Sequence, residues 1–421
     1  MQSPRISKLG VTGTSMAAIL ALSACTGGGE GGEGGEQGAE DQTVTVWHYF
    51  SDDNQVELMD QYKEKFESEN EGVTVENVFV PYDQMNSNLL SATGAGEGPD
   101  VAVFNGADAS TLALGGALTP MDEYWENFED SDQFSEAALH VVDDETYAAQ
   151  GYVNLLGLWY NADILAELGI EPPTTMEELE DALQQTVDAG NGGITLSGLP
   201  NSQGEWQAYP ILSEAGFSYE SPEEDALAEG LGRVRQWVED GWLSQEAVNW
   251  DQTVPFQEFA AGNYTFALNG NWQQGTAESE ADFEYGVVPF PVGEQGGVYL
   301  GGEGQGIGTN SENPDLAWDY LESTYYDQEA QLLAPELVGS LPSRADAAQD
   351  DVVAMNELLE PFSESIETSG TRYPVEAVPA ESVADVQVTM GQAWSATIGN
   401  QASPEDAAAD AIADLEGLLD Q

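Results

Sequence analysis

The reactive side chains of this sequence are few, and their types exclude most catalytic chemistry. Its 421 residues include one cysteine, Cys25, and two histidines, His48 and His140. A single cysteine cannot form an internal disulfide, and no second metal ligand is spaced near it as in Cys and His metal sites. The patterns G-x-S-x-G, H-E-x-x-H and C-x-x-C, which mark hydrolases, metalloproteases and thiol oxidoreductases, do not occur. We therefore predict no catalytic residue, no metal ion and no cofactor.

Cys25 stands at the end of a predicted export signal. Basic residues precede a mostly apolar run at 9–24 that is too short for a comfortable membrane span. Residues 22–25 read LSAC, which resembles the lipobox of bacterial lipoproteins, where cleavage precedes the cysteine and a diacylglycerol is attached to its thiol. The resemblance implies a signal peptide at 1–24, a lipid on Cys25 and residence at the extracellular face of the cell membrane. The alternative, a buried free cysteine, is disfavoured because the Gly and Glu composition that follows predicts a flexible linker over 25–42.

The balance of charge excludes polyanionic partners. The chain carries 77 acidic and 8 basic residues, for a formal net charge of -69. Such a surface repels phosphate backbones and anionic lipid, so we predict no nucleic acid partner and no membrane contact except through the lipid anchor. Hydrophobic residues make up 41% and aromatic residues 9% of the chain, which is enough for a large core. We expect a globular monomer.

The same charge predicts adaptation to high salt. At about 1 M salt the Debye length is roughly 3 Å, so repulsion between surface carboxylates is screened there but not in dilute buffer. We infer a halophilic bacterial source and expect the midpoint of thermal unfolding to rise steeply with added NaCl. Circular dichroism during heating measures this midpoint, and sucrose, which stabilises proteins without screening charge, is the control. A midpoint that does not respond to NaCl would contradict the inference.

Hydrophobic periodicity predicts alternating strands and helices. Residues 43–50 (TVTVWHYF) alternate and are rich in β-branched and aromatic residues, which indicates a strand. Strands are also expected at 73–80, 101–104 and 157–160, with helices between them where apolar residues recur at helical spacing. This alternation is typical of a parallel, doubly wound α/β sheet, and the length of the chain favours two lobes.

Several stretches, taken in order, resemble one protein family. They are GEGPDVAVFNGADASTLALGGALTPMDEY at 96–124, LLGLWYNADILAELGIEPPTTMEEL at 155–179, FAAGNYTFALNGNW at 259–272, YGVVPFPVGEQGGVYLGGEGQGIGTNSENPDLAWDYLE at 285–322, LPSRADA at 341–347 and SPEDAAADAIADL at 403–415. Their order and spacing are similar to those of the extracellular solute-binding proteins that serve sugar-importing ABC transporters, the family that includes maltose-binding protein. The resemblance covers nearly all of the chain after the linker.

The resemblance implies both a fold and an activity. The fold would have two α/β lobes of the type II periplasmic binding protein kind, each a mainly parallel sheet flanked by helices, with a ligand cleft above the crossovers between them. The first lobe would comprise 43–150 plus 299–345, and the second 153–296 plus 346–421. A sugar, expected to be an oligosaccharide, would be captured by hinge closure and delivered to the permease subunits of an ABC importer. One departure lies at 147–151 (YAAQG), where the family commonly has Tyr-Gly-Val-Pro-Tyr, so the crossover geometry is expected to differ.

The chemistry of sugars defines the side chains of such a cleft. A sugar ring has an apolar face and a rim of hydroxyls, so its site needs flat aromatic rings and short polar groups that donate and accept hydrogen bonds. By resemblance, Trp272 is a cleft tryptophan, and a glycine-rich crossover brings Gly302 and Glu303 near the ligand. Arg372 and Tyr373 resemble a segment that closes over the sugar. A solvated surface carboxylate is the alternative for Glu303, and a core tryptophan with a satisfied N–H is the alternative for Trp272.

Position within the predicted elements adds five ligand-binding candidates. Trp47 and His48 end the first strand, where ligands gather in open α/β sheets. Asn105 follows a strand, Asn154 lies beside the first crossover, and Trp206 begins a helix after a polar loop. The alternatives are a core tryptophan for Trp206, a structural histidine for His48 and turn residues for the asparagines. The tryptophans on helix or strand faces are assigned to cores: Trp159, Trp237, Trp242, Trp318 and Trp394.

Two other functions remain open at this point. An exported glycoside hydrolase would use two carboxylates beside the scissile bond, but with 77 acidic residues any spacing occurs, so carboxylate pairs do not discriminate. A binding protein of the same fold could hold a quaternary amine such as betaine in an aromatic cage. The Asn, Gln and Glu residues around Trp206, Trp272 and Gly302 favour a ligand rich in hydroxyls.

Overall fold

A computed structural model of the chain describes residues 42–420, which belong to one compact unit. The predicted signal peptide, Cys25 and the linker up to residue 41 lie outside the described residues. Two β-sheets with their packed helices form two lobes. Among residues 42–420, none of the helices combines the length and the apolar composition that a membrane span requires.

The strands and helices fall into three runs: the first two end at crossovers between the lobes, and the third run contains a further crossover at β14. The first run contains β1 (Gln42–His48), α1 (Asp53–Glu69), β2 (Val73–Phe79), α2 (Met85–Ala95), β3 (Val101–Asn105), α3 (Ala109–Leu114), β4 (Leu118–Thr119), α4 (Asp122–Asn127), β5 (Leu139–Val142), β6 (Glu145–Gln150) and β7 (Tyr152–Val153). The second contains β8 (Leu156–Asn161), α5 (Ala162–Leu168), α6 (Met176–Asp188), β9 (Ile194–Thr195), α7 (Ser202–Glu214), α8 (Glu224–Glu239), α9 (Thr253–Ala260), β10 (Phe266–Gly270), α10 (Gln274–Glu280), β11 (Tyr285–Val288) and β12 (Val298–Leu300). The third contains β13 (Glu303–Gly308), α11 (Pro314–Ser323), α12 (Gln328–Gln331), α13 (Leu333–Leu337), β14 (Leu341–Pro342), α14 (Asp351–Ala354), α15 (Glu360–Ser369), β15 (Gly370–Arg372), α16 (Val383–Ile398) and α17 (Pro404–Leu419).

The first lobe is built on a seven-stranded sheet with the order β2-β1-β3-β13-β6-β5, in which β4 also pairs with β13. The side chains of β3 point alternately into two hydrophobic cores, one on each face of this sheet. Val101 and Val103 belong to the core that contains the apolar stripe of α1, whereas Ala102 and Phe104 belong to a second core under α2 and α3. All four side chains are fully buried. A strand buried on both faces reads as a continuous apolar run, as this one does.

The second lobe is built on a four-stranded sheet with the order β11-β8-β10-β9. Its core contains Trp159, Trp237, Trp242 and Trp394, and Trp318 lies in the core of the first lobe. All five side chains are buried, so their assignment to cores is confirmed. β12 contributes Val298 and Tyr299 to this same second-lobe core and pairs with β15 in a two-stranded sheet.

The predicted two-lobed α/β fold is present, but the prediction that each sheet is mainly parallel is wrong. In the first sheet β1 is parallel to β2 and β3, whereas β13 is antiparallel to β3, β4 and β6. In the second sheet β8 is antiparallel to both β10 and β11. The reason is the path between the lobes. A strand that ends at the cleft, such as β3, runs opposite to one that has just entered from the other lobe, such as β13.

Three chain segments connect the lobes, and they lie side by side. Asn154 and Gly301 exchange both backbone hydrogen bonds, at 3.0 and 2.8 Å between nitrogen and oxygen. β14 pairs with β7, which places Leu341 opposite Val153. The crossovers therefore form a short hydrogen-bonded floor between the two sheets. The residue boundaries given above for the lobes remain a prediction.

The buried side chain of Asn271 ties these crossovers together. Its amide nitrogen donates to the carbonyl oxygens of Val153 at 3.2 Å and Gly339 at 2.8 Å, and to the side-chain oxygen of Asn154 at 3.1 Å. Its oxygen accepts the backbone N–H of Leu155 at 2.9 Å. Asn271 directly follows β10, so this one amide holds the crossovers to the second-lobe sheet.

Candidate ligand-binding cleft

A cleft of about 900 Å³ lies between the lobes, above the crossovers. Residues that follow β1 and β2 and the last residue of β3 line it from the first lobe, and residues from α7, α9 and α10 line it from the second. Among the lining side chains, the first-lobe wall has Tyr49, Tyr82 and Asn105, the second-lobe wall has Trp206, Trp272, Gln252 and Tyr373, and the floor has Asn154, Gly302 and Glu303. The structure therefore brings together seven of the ten residues predicted to bind ligand.

Trp272 presents an aromatic ring on the second-lobe wall. It lies in the short turn between β10 and α10, next to the buried anchor Asn271. The ring is half-buried, packs against the second-lobe core and lines the cleft. It lies directly on Gly270, where an added Cβ would overlap the indole. The glycine therefore lets the ring rest on the backbone while the ring still contributes to the cleft.

Trp206 lies at the boundary between the core and the cleft. It is the fifth residue of α7, whose N-terminus is capped by the Asn201 side chain accepting from the N–H of Gln203 at 3.0 Å. The indole is 9% exposed and meets the ring of Tyr373 edge-on at 4.8 Å between centroids. Its six-membered ring lies against Gly301, where an added Cβ would overlap it. Trp206 thus joins the second-lobe wall to the crossover.

Glu303 is a buried carboxylate at the floor and not the solvated one of the alternative interpretation. Its Oε1 accepts a hydrogen bond from the Tyr49 hydroxyl at 2.8 Å, and its Oε2 accepts one from the Asn154 amide at 3.4 Å. The side chain is 8% exposed, and burial raises its pKa to about 7, against the effect of the Tyr49 hydrogen bond. A carboxyl of this kind accepts from a ligand hydroxyl when it is ionised and can donate to one when it is protonated.

The two predicted asparagines have defined partners. Asn105 donates to the Tyr82 hydroxyl at 2.6 Å, while its oxygen accepts the N–H of Ala107 at 3.0 Å and so caps the turn after β3. The Asn154 oxygen accepts from the Ser340 hydroxyl at 2.7 Å. Asn105 is therefore both a turn residue and a cleft residue, and Asn154 links the floor to two crossovers.

Gly302 allows the crossover to pass close to its neighbours. Its φ is +136°, a backbone conformation that favours glycine, and an added Cβ would lie 2.5 Å from the Tyr152 carbonyl oxygen. The carbonyl of Gly302 accepts the N–H of Gly106 at 3.0 Å, which joins the crossover to the turn after β3. Backbone atoms thus form part of the floor.

The described side chains that line the cleft include carboxylates but no lysine, arginine or histidine. The six carboxylates are Asp52, Asp53, Asp251, Glu278, Glu280 and Glu303. Negative potential in a cleft disfavours anionic ligands, because no cation compensates their charge. The arrangement suits neutral, hydroxyl-rich or cationic molecules.

The profile of one protein family, the bacterial extracellular solute-binding proteins, matches residues 61–361. This chain belongs to that family. A maltotriose-binding protein of Pyrococcus abyssi is 22% identical over 345 residues, which cover 77% of this chain and 71% of the relative. An arabinooligosaccharide-binding protein of Halalkalibacterium halodurans is 25% identical over 309 residues, which cover 68% of each chain.

Comparison with solved structures supports the same fold. The GacH receptor of Streptomyces glaucescens superposes on this solute-binding protein with a TM-score of 0.81 at 23% identity, covering 90% of this chain and 99% of the receptor. Identity at this level shows the shared two-lobed fold and does not transfer the ligand.

Three predicted residues of the solute-binding protein do not line the cleft. Trp47 and His48 end β1, but the chain extends beyond the strand before it reaches the cleft at Tyr49. Trp47 packs on the core under α2 and α3, and His48 is buried on the opposite face, where burial lowers its pKa to about 4. Arg372 is exposed and donates to the Leu139 carbonyl at 3.4 Å, because neighbours in an extended segment alternate and Tyr373 takes the inward position. We therefore leave these three residues out of the proposed site.

Sequence reasoning missed several groups of the cleft. The strand pattern at 43–50 includes Tyr49, one residue past His48. The same pattern could therefore have indicated Tyr49 as a cleft residue. Tyr82 and Tyr152 carry no comparable signal, since Tyr82 opens a single helical turn and Tyr152 a two-residue crossover strand, both too short to give a periodic pattern. Asn271 has no local signal beyond its place next to Trp272, because its role at the crossovers depends on contacts with residues more than a hundred positions away.

Proposed function

We propose that this solute-binding protein captures an oligosaccharide between its lobes and delivers it to an ABC importer. The observation that carries the proposal is the pair of aromatic walls, Trp206 and Trp272 on one side and Tyr49 and Tyr82 on the other. Aromatic rings pack on the apolar faces of sugar rings, and walls on both lobes let one ligand contact both. The cleft volume lies near the upper end of the range of roughly 300–1,000 Å³ typical of small-ligand sites, which favours more than one sugar unit.

The polar groups of the cleft support the same ligand class. The Asn105 and Asn154 amides and the Glu303 carboxyl supply both donors and acceptors for hydroxyls. Together with Trp206, Trp272, Gly302 and Tyr373 they form the proposed binding site. The maltotriose and arabinooligosaccharide specificities of the two relatives are those of neutral oligosaccharides and are consistent with a cleft that lacks cations.

Hinge closure would couple binding to transport. A ligand that contacts both walls stabilises the closed state relative to the open one, in proportion to its additional contacts there. The crossovers around Asn154 and Gly301 are the short connections about which such a motion takes place. The permease subunits of the importer would then receive the closed, loaded form.

Isothermal titration calorimetry of the purified protein at about 1 M NaCl tests the ligand class. Maltotriose, an arabinooligosaccharide, chitobiose and their monosaccharides form the neutral series, an oligogalacturonide serves as the anionic control, and betaine represents quaternary amines. We expect a neutral oligosaccharide to bind and the anionic one not to. Binding of betaine alone would contradict the proposal and support the quaternary-amine alternative.

We propose further that the protein only binds sugars and does not cleave them. The family consists of binding proteins, and the carboxyl of Glu303 is engaged by Tyr49 and Asn154. Incubation with the oligosaccharide that binds, followed by an assay for new reducing ends, tests this. Release of reducing ends in proportion to protein concentration would show a glycoside hydrolase instead.

We propose that the protein is a lipoprotein held outside the cell by Cys25. Replacing Cys25 with serine removes the thiol to which the lipid would be attached, so the variant is expected in the medium with unchanged sugar affinity. Fractionation of cells and medium, with an immunoblot of each, measures the release, and a serine substitution two residues later, at Gly27, is the control. A Cys25→Ser protein that stays with the cells would contradict the proposal.

We also propose a monomeric protein adapted to high salt. In the described residues, five basic side chains form the salt bridges, through Lys63, Lys65, Arg233, Arg235 and Arg344. Most carboxylates within residues 42–420 therefore have no salt-bridge partner, and the expected rise of the unfolding midpoint with NaCl tests whether dissolved cations screen their repulsion.

A further inference from the structure

Glu205, in the first turn of α7, lies behind the second-lobe wall. Its side chain is 3% exposed and does not line the cleft. Its Oε1 accepts hydrogen bonds from the hydroxyls of Tyr219 at 3.0 Å and Tyr299 at 2.6 Å, and its Oε2 accepts one from Tyr373 at 3.0 Å. Three tyrosines from three separate chain segments thus converge on one carboxylate.

Two of these tyrosines support the cleft tryptophan. The ring of Trp206 contacts that of Tyr373 at 4.8 Å and that of Tyr299 at 5.5 Å between centroids. Tyr373 itself lines the cleft, and Trp206 directly follows Glu205 in the chain. The positions of both aromatic side chains therefore depend on the hydrogen bonds that the carboxylate accepts.

The polar side chains described around Glu205 are hydroxyls and an amide. None of them is a lysine, arginine or histidine. Three tyrosines donate to Glu205, and a fourth, Tyr209, lies nearby on the same helix. Gln387 of α16 donates to the Tyr373 hydroxyl at 2.9 Å. Burial raises the pKa of Glu205 to about 7, and the three tyrosine hydrogen bonds oppose this effect. A protonated carboxyl becomes a donor itself and accepts fewer hydrogen bonds, so protonation frees one of the tyrosine hydroxyls.

We propose that Glu205 is a positioning residue for the sugar. As a carboxylate it holds Trp206 and Tyr373 in the second-lobe wall, and it thereby sets the affinity of the cleft without touching the ligand. The inference rests on the proposed function and concerns the same cleft. Affinity is expected to be highest where Glu205 is ionised and to fall as the pH decreases through neutrality.

Glu205→Gln in the full chain, with maltotriose as the probe, tests the proposal. Glutamine has the same size, but it places an N–H₂ group where a carboxylate oxygen accepted, and the Tyr373 hydroxyl already accepts from Gln387. We expect the dissociation constant at about pH 8 to rise roughly tenfold, the loss typical of one hydrogen bond to a charged group. At about pH 6 the wild type should approach the variant, and the variant should retain only the pH dependence that Glu303 contributes, which adding Glu303→Gln to the same chain removes.

Matched variants separate positioning from general loss of stability. Glu214→Gln makes the same change at the end of the same helix, where Glu214 pairs with Arg233 at 2.8 Å away from the cleft, and maltotriose affinity should not change. Tyr373→Phe removes one donor and keeps the ring. Its combination with Glu205→Gln should weaken binding by less than the product of the single effects, because both remove the same hydrogen bond. Burial also raises the pKa of Glu303 to about 7 and that of Asp108 to about 6, so Glu303→Gln and Asp108→Asn are included to remove these two carboxyls in turn.

Tryptophan fluorescence of the ligand-free protein provides a readout that does not need the sugar. In the wild type and in Glu303→Gln, the fluorescence should change in a step between about pH 6 and pH 8. Glu205→Gln should lack this step. Maltotriose binding that is equal in wild type and Glu205→Gln at every pH would overturn the proposal. If maltotriose does not bind the wild type, the proposed ligand is wrong, and the fluorescence step alone decides: its presence supports the role of Glu205, and its absence overturns it.

Discussion

Replacing Trp272 with alanine is expected to weaken maltotriose binding by about tenfold to a hundredfold while the protein still folds. The ring is half-buried in the wall of the cleft and rests on Gly270, so its removal deletes ligand contact without leaving a closed cavity in the core. An aromatic contact of this kind is worth on the order of 1–3 kcal/mol. The dissociation constant from calorimetry and the melting temperature without sugar measure the two effects separately.

A core tryptophan provides the matched control. Trp237 is fully buried and its indole N–H donates to Glu180 at 3.1 Å. Trp237→Ala should cost about 3–5 kcal/mol of stability and leave the affinity of the remaining folded protein unchanged. If Trp272→Ala behaves in this way instead, with a collapsed melting temperature and intact affinity, then Trp272 is structural and the proposed site is wrong.

Replacing Asn271 with alanine is expected to destabilise the fold by about 3 kcal/mol or more. The substitution leaves the N–H of Leu155 and the carbonyls of Val153 and Gly339 without the partner that Asn271 supplies. Each buried polar group that loses its partner costs about 1–3 kcal/mol. Denaturant unfolding at constant high salt measures the free energy of unfolding.

Two further variants sharpen this test. Asn271→Asp keeps the shape of the side chain but turns its donor nitrogen into an oxygen facing two carbonyls, so it should destabilise at least as much as alanine. Asn249→Ala changes an exposed asparagine and should cost less than about 0.5 kcal/mol. If Asn271→Ala lowers the free energy of unfolding as little as Asn249→Ala does, the crossovers hold together without this amide.

Local patterns were enough to predict four strands of the two sheets, namely β1, β2 and β3 in the first and β8 in the second. The alternation at 43–50 and the apolar run at 101–104 became β1 and β3, with ends within two residues of the expected ones. Such patterns are readable because burial on one or both faces imposes a period of two or a continuous apolar run on the side chains themselves. Strand direction is not encoded in this way, which is why the sheets proved less parallel than expected.

The candidate site was predictable where a side chain follows a strand or resembles a family motif. Trp272, Asn105 and Glu303 were found in this manner, and all three line the cleft. Trp47 and His48 were placed too early, because a strand pattern does not state how far beyond its last residue the cleft begins.

The sequence by itself determined the acidic composition, the alternation of strands and helices, the buried tryptophans and the order of motifs that places the chain in its family. Only the tertiary structure decided which distant side chains meet. Tyr49 donates to Glu303 across 254 positions of sequence, Asn271 donates to Asn154 across 117, and Tyr373 donates to Glu205 across 168. Each of these hydrogen bonds depends on the register of strands and on the paths of the crossovers. Those are properties of the packed molecule, because a local pattern specifies which face of an element is buried and not which distant element will cover it.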